Sequence, residues 1–179
     1  FAGVLRSRGV GKGDRVVIYM PMIPEAAIAM LATARLGAVH SVVFGGFAPK
    51  ELAARIRDAV PAAVVTASGG IEPSRRIEYL PAVKEALGLA GVPDTPVLVK
   101  AREGFASAVA DHAGWLDWDA EMATAAPAAP VDVKATDPLY ILYTSGTTGA
   151  PKGVVRDNGG HAVALSWTLE NIYDIGPGD

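Results

Sequence analysis

The chain has 179 residues, half of them hydrophobic, with 20 glycines and 13 prolines, which is enough to bury a sizeable core and excludes disorder. A formal net charge of -3, from 16 Lys and Arg against 19 Asp and Glu, offers no basic field for a nucleic-acid backbone. The absence of cysteine excludes disulfides, thiolate catalysis and Cys-ligated zinc, and suits a reducing cytoplasm; any metal must be held by oxygen.

The chain starts at Phe1 inside an amphipathic pattern with Val4 and Leu5 and no leader, which reads as the interior of a longer protein. Residues 16–20 form a short apolar run ended by Pro21 and Pro24, as expected of a strand buried on both faces. The spacing predicts a helix over 25–36, stopping at Gly37, then a strand over 38–44. Arg35, His40 and the glycines at 37, 45 and 46 break this apolar stretch, so it reads as a buried helix and strand rather than a membrane span.

Pro49 opens a helix to about residue 59, with Leu52, Ile56 and Ala59 on one face, and a strand follows over 62–66. A helix over 77–87 and a strand over 95–100 come next. Residues 123–130 are an Ala/Pro tract with little to bury, part of an extended connector over 123–136 that separates an α/β subdomain (1–122) from a C-terminal unit (137–179). In that unit, residues 139–143 read as a strand, 144–153 as a loop, 154–155 as a short return strand and 160–173 as a helix capped by Asp157 or Asn158. Alternating strands and helices with short connections predict an open, mostly parallel α/β sheet, with ligands gathering at the carboxyl ends of its strands.

The loop after Tyr143 holds four hydroxyl side chains (Thr144, Ser145, Thr147, Thr148), three glycines (Gly146, Gly149, Gly153) and Lys152. Glycines let backbone N–H groups approach anionic oxygens, hydroxyls donate further hydrogen bonds, and Lys152 adds a cation where charge builds on a leaving pyrophosphate. It is not a Walker A loop, because Pro151 and Gly153 flank the lysine where that pattern needs Gly and Ser or Thr. The run resembles the phosphate-binding motif of the adenylate-forming superfamily, to which acyl-CoA synthetases, luciferases and peptide-synthetase adenylation domains belong. The likeness extends over nearly the whole chain, as the middle of that family's large N-terminal domain.

Within the family, the stretch from Val39 to Phe47 resembles acetyl- and propionyl-CoA synthetases, where it lines the coenzyme A side of the site. The stretches 70–76 and 156–160 resemble propionyl- more than acetyl-CoA synthetases. The resemblance implies ATP-dependent activation of a short carboxylic acid, propionate or acetate, to an acyl-adenylate, then transfer to coenzyme A. ATP, Mg2+ and coenzyme A are thereby implied, with no nucleic acid and no membrane as partners and the oligomeric state open. It assigns ATP phosphate binding to Thr144, Ser145, Gly146, Thr147, Thr148, Gly149 and Lys152, and coenzyme A binding to Phe44, Gly45, Gly46, Arg75 and Arg76.

One position departs from the family pattern. Acetyl-CoA synthetases carry an arginine at each end of the segment matching 72–75, whereas Glu72 stands at one end here and would repel an anion. The resemblance places the family's magnesium-binding acid and catalytic lysine after position 179, so no catalytic residue is expected within the 179, and the piece alone is expected to be inactive. Two alternatives remain at this point: adenylation of an amino or aryl acid for a carrier protein, and a non-catalytic nucleotide-binding module. His40 reads as a satisfied core histidine, His161 as helix surface or packing, and Trp115 and Trp118 with Asp117 and Asp119 as cover for an edge of the core. No histidine pair, His112 included, has zinc spacing.

Overall fold

In the computed structural model, residues 1–72, 75–106, 109, 112, 114–144 and 151–178 are described. The apolar runs of the first half become parallel strands of one sheet: β1 (Arg15–Met20), β2 (Val39–Phe44), β3 (Ala63–Ala67) and, after the small hairpin β4 (Gly69–Glu72) and β5 (Arg75–Glu78), β6 (Val97–Lys100). Helices α1 (Ala2–Ser7), α2 (Pro24–Arg35), α3 (Pro49–Ala59) and α4 (Leu80–Ala90) lie between or before them. The edge is completed by β7 (Trp115–Asp117), which leads into α5 (Trp118–Thr124). From β8 (Pro138–Thr144) the chain returns through β9 (Lys152–Asp157) to α6 (Asn158–Ile172).

The seven-stranded sheet runs in the order β7-β6-β3-β1-β2-β8-β9, parallel throughout except that β9 returns antiparallel to β8. Because strand side chains alternate, β1 sends Val16, Ile18 and Met20 into one core and Val17 and Tyr19 into the other. The first core includes residues of α1 and α2; the second includes residues of α3 and α4. This double covering explains why β1 and β3 read as continuous apolar runs rather than alternating ones.

Three expectations are corrected. The helix predicted over 77–87 begins only at Leu80, because residues 69–72 and 75–78 pair antiparallel with Glu72 opposite Arg75 and Ile71 opposite Arg76. The tract 123–130 has something to bury after all. Ala128 enters the first core, and its carbonyl accepts from Arg35 Nε at 2.8 Å. The return strand expected at 154–155 runs from Lys152 to Asp157, since each residue from Tyr140 to Thr144 finds a partner across the hairpin. The aromatic–acid cluster does cover an edge: Trp115 starts β7, and Trp118, only 4% exposed, stacks on Phe1 at 3.7 Å between centroids. Asp157 is the cap of α6, its carboxylate accepting from Gly160 N–H at 2.6 Å.

Candidate functional site

The chain reverses direction at the carboxyl end of β1: the crossover after β1 leads to β2 on one side, while β3 pairs on the other. Such a reversal opens a crevice above the strand ends. Three segments follow strands at that end of the sheet, namely the turn after β2, the β4–β5 hairpin after β3, and the paired ends of β8 and β9 at Thr144 and Lys152. Register places Met20 opposite Phe44, and the pairing of Ser41 with Ile141, carried along by three residues, puts Thr144 level with Phe44.

Of the predicted phosphate-binding residues, Thr144 and Lys152 are described; Ser145, Gly146, Thr147, Thr148 and Gly149 lie outside the described residues. Thr144 closes β8 and Lys152 opens β9, and the two are partners across the ladder, so the strands hold both ends of the connection opposite each other. Both side chains are exposed, and among the described residues Lys152 makes no ion pair. An uncommitted ammonium facing a hydroxyl suits a phosphate group. Magnesium is different: among the described residues no group of three His, Asp or Glu could hold a metal.

The turn after β2 is built tightly. Gly46 has φ +93°, a conformation L side chains rarely adopt, and its N–H donates to the Tyr19 hydroxyl at 3.1 Å. That hydroxyl in turn donates to the Phe47 carbonyl at 2.9 Å. At Gly45 a Cβ would come within 2.5 Å of the Tyr79 hydroxyl and 2.9 Å of the Met20 carbonyl. Both glycines are therefore demanded by the fold itself. Phe44, 59% exposed, leans on Phe47 with centroids 5.6 Å apart.

Burial, and the Glu72 carboxylate nearby, push the Tyr79 hydroxyl up to about 12, and its oxygen finds no hydrogen-bond partner among the described residues. Tyr19 is also raised by burial, against the lowering effect of the Gly46 hydrogen bond. Glu72 faces the turn, its Oε2 3.3 Å from where a Cβ on Gly46 would stand.

The two arginines separate. Arg75 is exposed and makes no ion pair among the described residues. Arg76 is committed: Nη2 donates to the Gly104 carbonyl at 2.8 Å and the guanidinium lies 4.8 Å from the Phe105 centroid. Arg76 thus fastens β5 to the loop after β6, leaving Arg75 as the available cation of the pair.

The sequence reading missed the group that joins the turn to the β8–β9 hairpin. Arg55 of α3 is buried, donates to Glu51 through O at 2.7 Å and Oε2 at 3.1 Å, and packs on both Phe47 (4.9 Å) and Tyr143 (5.5 Å). Tyr143 also donates from its hydroxyl to Asp58 Oδ2 at 2.5 Å, and burial holds its pKa well above the ordinary tyrosine value. A pocket of about 350 Å³ lies there, lined by Ala54, Arg57, Asp58, Tyr143 and Pro151. The available signal was Arg55 itself, a charge three residues after Leu52 and so on the apolar stripe of α3. A larger hollow of about 650 Å³ lies beside α1, α2 and the connector, but it is apolar apart from Arg35 and away from the strand ends.

His40 is not the satisfied core histidine expected. It stacks on Tyr140 at 5.5 Å, but its buried Nδ1 has no partner among the described residues, and burial, with the charge of His161 adding to it, lowers its pKa to about 4. His161 has a packing role: its Nδ1 is 3.3 Å from the Tyr140 hydroxyl and the rings meet edge to face. His112 lies against Trp115.

The fold agrees with the comparisons to known proteins. The model of the AMP-binding enzyme family matches residues 1–179. The mitochondrial acyl-CoA synthetase short-chain family member 3 of Mus musculus is 54% identical over 178 residues, which cover 99% of this chain and 26% of that protein. The acetyl-coenzyme A synthetase of Parvibaculum lavamentivorans is 51% identical over 181 residues, covering 100% of this chain and 28% of its own. Among solved structures, acetoacetyl-CoA synthetase from Streptomyces lividans superposes with a TM-score of 0.87 at 32% identity, over 99% of this chain and 27% of that one. The chain thus spans about a quarter of the length of the relatives it matches. It belongs to the AMP-binding enzyme family.

Proposed function

We propose that these residues form part of an AMP-forming acid–CoA ligase, which activates a short-chain carboxylic acid with ATP to an acyl-adenylate and transfers the acyl group to coenzyme A. The observation that carries this reading is the β8–β9 hairpin, which sets Thr144 opposite Lys152 at the carboxyl end of the sheet, level with the turn after β2. In the first step the acid's carboxylate oxygen attacks the α-phosphorus and pyrophosphate leaves; in the second the thiol displaces AMP. Neither needs a nucleophile from the protein, so positioning and charge stabilisation carry the catalysis.

Thr144 and Lys152, with Ser145, Gly146, Thr147, Thr148 and Gly149, are assigned to the leaving phosphates. Phe44, Gly45, Gly46 and Arg75 are assigned to coenzyme A; Arg76, held by Gly104, supports the hairpin that presents Arg75. Propionate is proposed ahead of acetate, on the likeness of the 70–76 and 156–160 stretches to propionyl-CoA synthetases. The proposed compartment is the cytoplasm, which suits a chain without cysteine.

Residues 1–179 alone are proposed not to turn over. The triphosphate brings about four negative charges and the acid one more, against one uncommitted lysine at the hairpin. The test is ATP–pyrophosphate exchange with acetate, propionate or butyrate, comparing residues 1–179 with the full-length protein that carries them. Acid-dependent exchange in the longer chain only, fastest with propionate, is expected. No exchange with any of the three acids overturns the reading, and robust exchange by the 179 residues alone overturns their proposed dependence on the rest.

A further inference from the structure

A carboxylate without a partner faces the turn after β2. The two oxygens of Glu72 lie 3.3 and 3.5 Å from where a Cβ on Gly46 would stand, so the group meets the left-handed residue of the turn at close range. Glu72 is partly buried, yet it makes no hydrogen bond and no ion pair among the described residues. Neighbouring cations are spent elsewhere: Arg76 donates to the Gly104 carbonyl, and Arg102 Nη1 donates to the Gly69 carbonyl at 2.8 Å while lying on the Phe105 ring. Arg75, opposite Glu72 in the β4–β5 ladder, carries an exposed guanidinium that is unpaired among the described residues. Beneath the turn, the fully buried Tyr79 hydroxyl is wedged between Gly45 and Gly70, also without a partner among the described residues. A carboxylate drawn partly out of water is costly until it accepts from a donor.

We propose that Glu72 determines specificity for the thiol substrate: its carboxylate accepts a hydrogen bond from an uncharged N–H or O–H group of coenzyme A at the turn, while Arg75 across the ladder takes a phosphate. This assignment rests on the functional reading above and adds the acceptor that reading lacks. Coenzyme A carries donors of this class in its pantetheine arm and in its adenosine. An ionised carboxylate only accepts, so a donor is attracted at Glu72 and a phosphate is repelled. The two cases predict opposite signs when the charge is removed.

The experiment uses the full-length protein and measures KM in acid-dependent thioester formation for coenzyme A, ATP and the acid, with pantetheine as alternative substrate or competitive inhibitor. Glu72→Ala is expected to raise the KM for coenzyme A by at least about tenfold, the weight of one hydrogen bond to a charged group. Glu72→Gln, which keeps an acceptor oxygen, should raise it by less. A loss that pantetheine shares places the donor on the arm, and a loss confined to coenzyme A places it in the adenosine. Arg75→Ala should weaken coenzyme A but not pantetheine, which has no phosphate; an equal loss for both overturns the phosphate half of the proposal. A KM for coenzyme A that falls in Glu72→Gln means that the carboxylate only repels phosphate or restrains Arg75, and that result overturns the proposal, as does an unchanged KM in Glu72→Ala. A merely structural role raises the KM values for ATP and the acid by the same factor and lowers Tm, which is again fatal. Should Glu72→Ala fail to fold, Glu72→Asp keeps the charge but draws the carboxylate back; a raised KM for coenzyme A is expected, and an unchanged one sinks the idea. Pyrophosphate exchange, which needs no thiol, is recorded for the unaltered protein. Its absence defeats the functional reading, whereas exchange with no response of coenzyme A to Glu72 defeats this inference alone.

Discussion

Strands β1 and β8 are both rich in branched and aromatic residues and both have a neighbour on each side in the sheet, yet they meet different fates. Every residue of β1 from Val16 to Met20 is buried, and none of β8 is. The helix that follows β9 shows the same contrast: α6 has no buried residue, with Val163 71% and Trp167 59% exposed. Its apolar residues lie around the whole helix rather than along one stripe, a pattern typical of a helix enclosed on all sides. Composition states what a segment is able to bury; the layers packed on it decide what it does bury. In β1 those layers are cores on both faces. In β8–β9–α6 the described residues supply too little cover, and the exposed hairpin carries Thr144 and Lys152, two of the residues proposed to bind phosphate.

Four measurements sharpen or break this contrast. The largest effect is expected at the hairpin. If the proposed role holds, Lys152→Ala in the full-length protein should lower kcat for adenylate formation by about 10²- to 10³-fold with a much smaller rise in KM, because an ammonium at that place would stabilise charge that develops only as pyrophosphate leaves. An unchanged rate makes Lys152 an ordinary surface residue.

In the buried region the expected effect is on stability. Ile18→Ala removes side-chain volume between the layers and should cost about 2–5 kcal/mol in denaturant unfolding. A loss below about 1 kcal/mol shows that the core around β1 relaxes into the space and that the two regions differ less than their burial suggests.

His40 gives an intermediate effect, visible against pH. Its folded pKa of about 4 lies below the ordinary 6.5, so above pH 6.5 both states are neutral and the fold carries no penalty. As pH falls from 6.5 toward 4 the unfolded chain takes up a proton that the folded chain refuses, and stability drops, by roughly 3 kcal/mol at most. Equilibrium unfolding from pH 7.5 to 4 should show the decline, flattened in His40→Phe. A decline that persists undiminished in the variant assigns it to other groups.

The smallest effect belongs to α6. Leu165→Ala, at a position 48% exposed, should change stability by less than about 0.5 kcal/mol. A loss comparable to that of Ile18→Ala means that α6 is covered in solution.

Much of the fold is legible in periodicity alone. The apolar runs at 16–20 and 62–66, the helix start at Pro49 and the cap at Asp157 follow from local physics, namely double-sided burial, the fixed φ of proline and a carboxylate accepting from an orphan N–H. The pairing of 69–72 with 75–78 was not legible, because its Gly-Gly and Arg-Arg pairs carry no alternation, and pairing between the two short strands overrides the helical reading of 77–78. At the site, the composition of the 144–153 run points to phosphate from the residues alone, since only small and hydroxyl-bearing side chains let a backbone approach an anion.

What that run could not contain is the identity of its support. Arg55 is far from it in sequence and reaches Tyr143 only because α3 packs between that residue and the turn after β2, and Tyr19 and Tyr79 meet that turn only because β1 and β2 are neighbours in the sheet. Local sequence determined the strands, the caps and the phosphate-binding composition, for these depend on residues within a few positions of each other. Tertiary structure alone decided that Arg76 is spent on Gly104, that Gly45 must stay small beneath Tyr79, and that Arg55 lies against both Phe47 and Tyr143, because each is a contact between segments that meet only after the layers have packed.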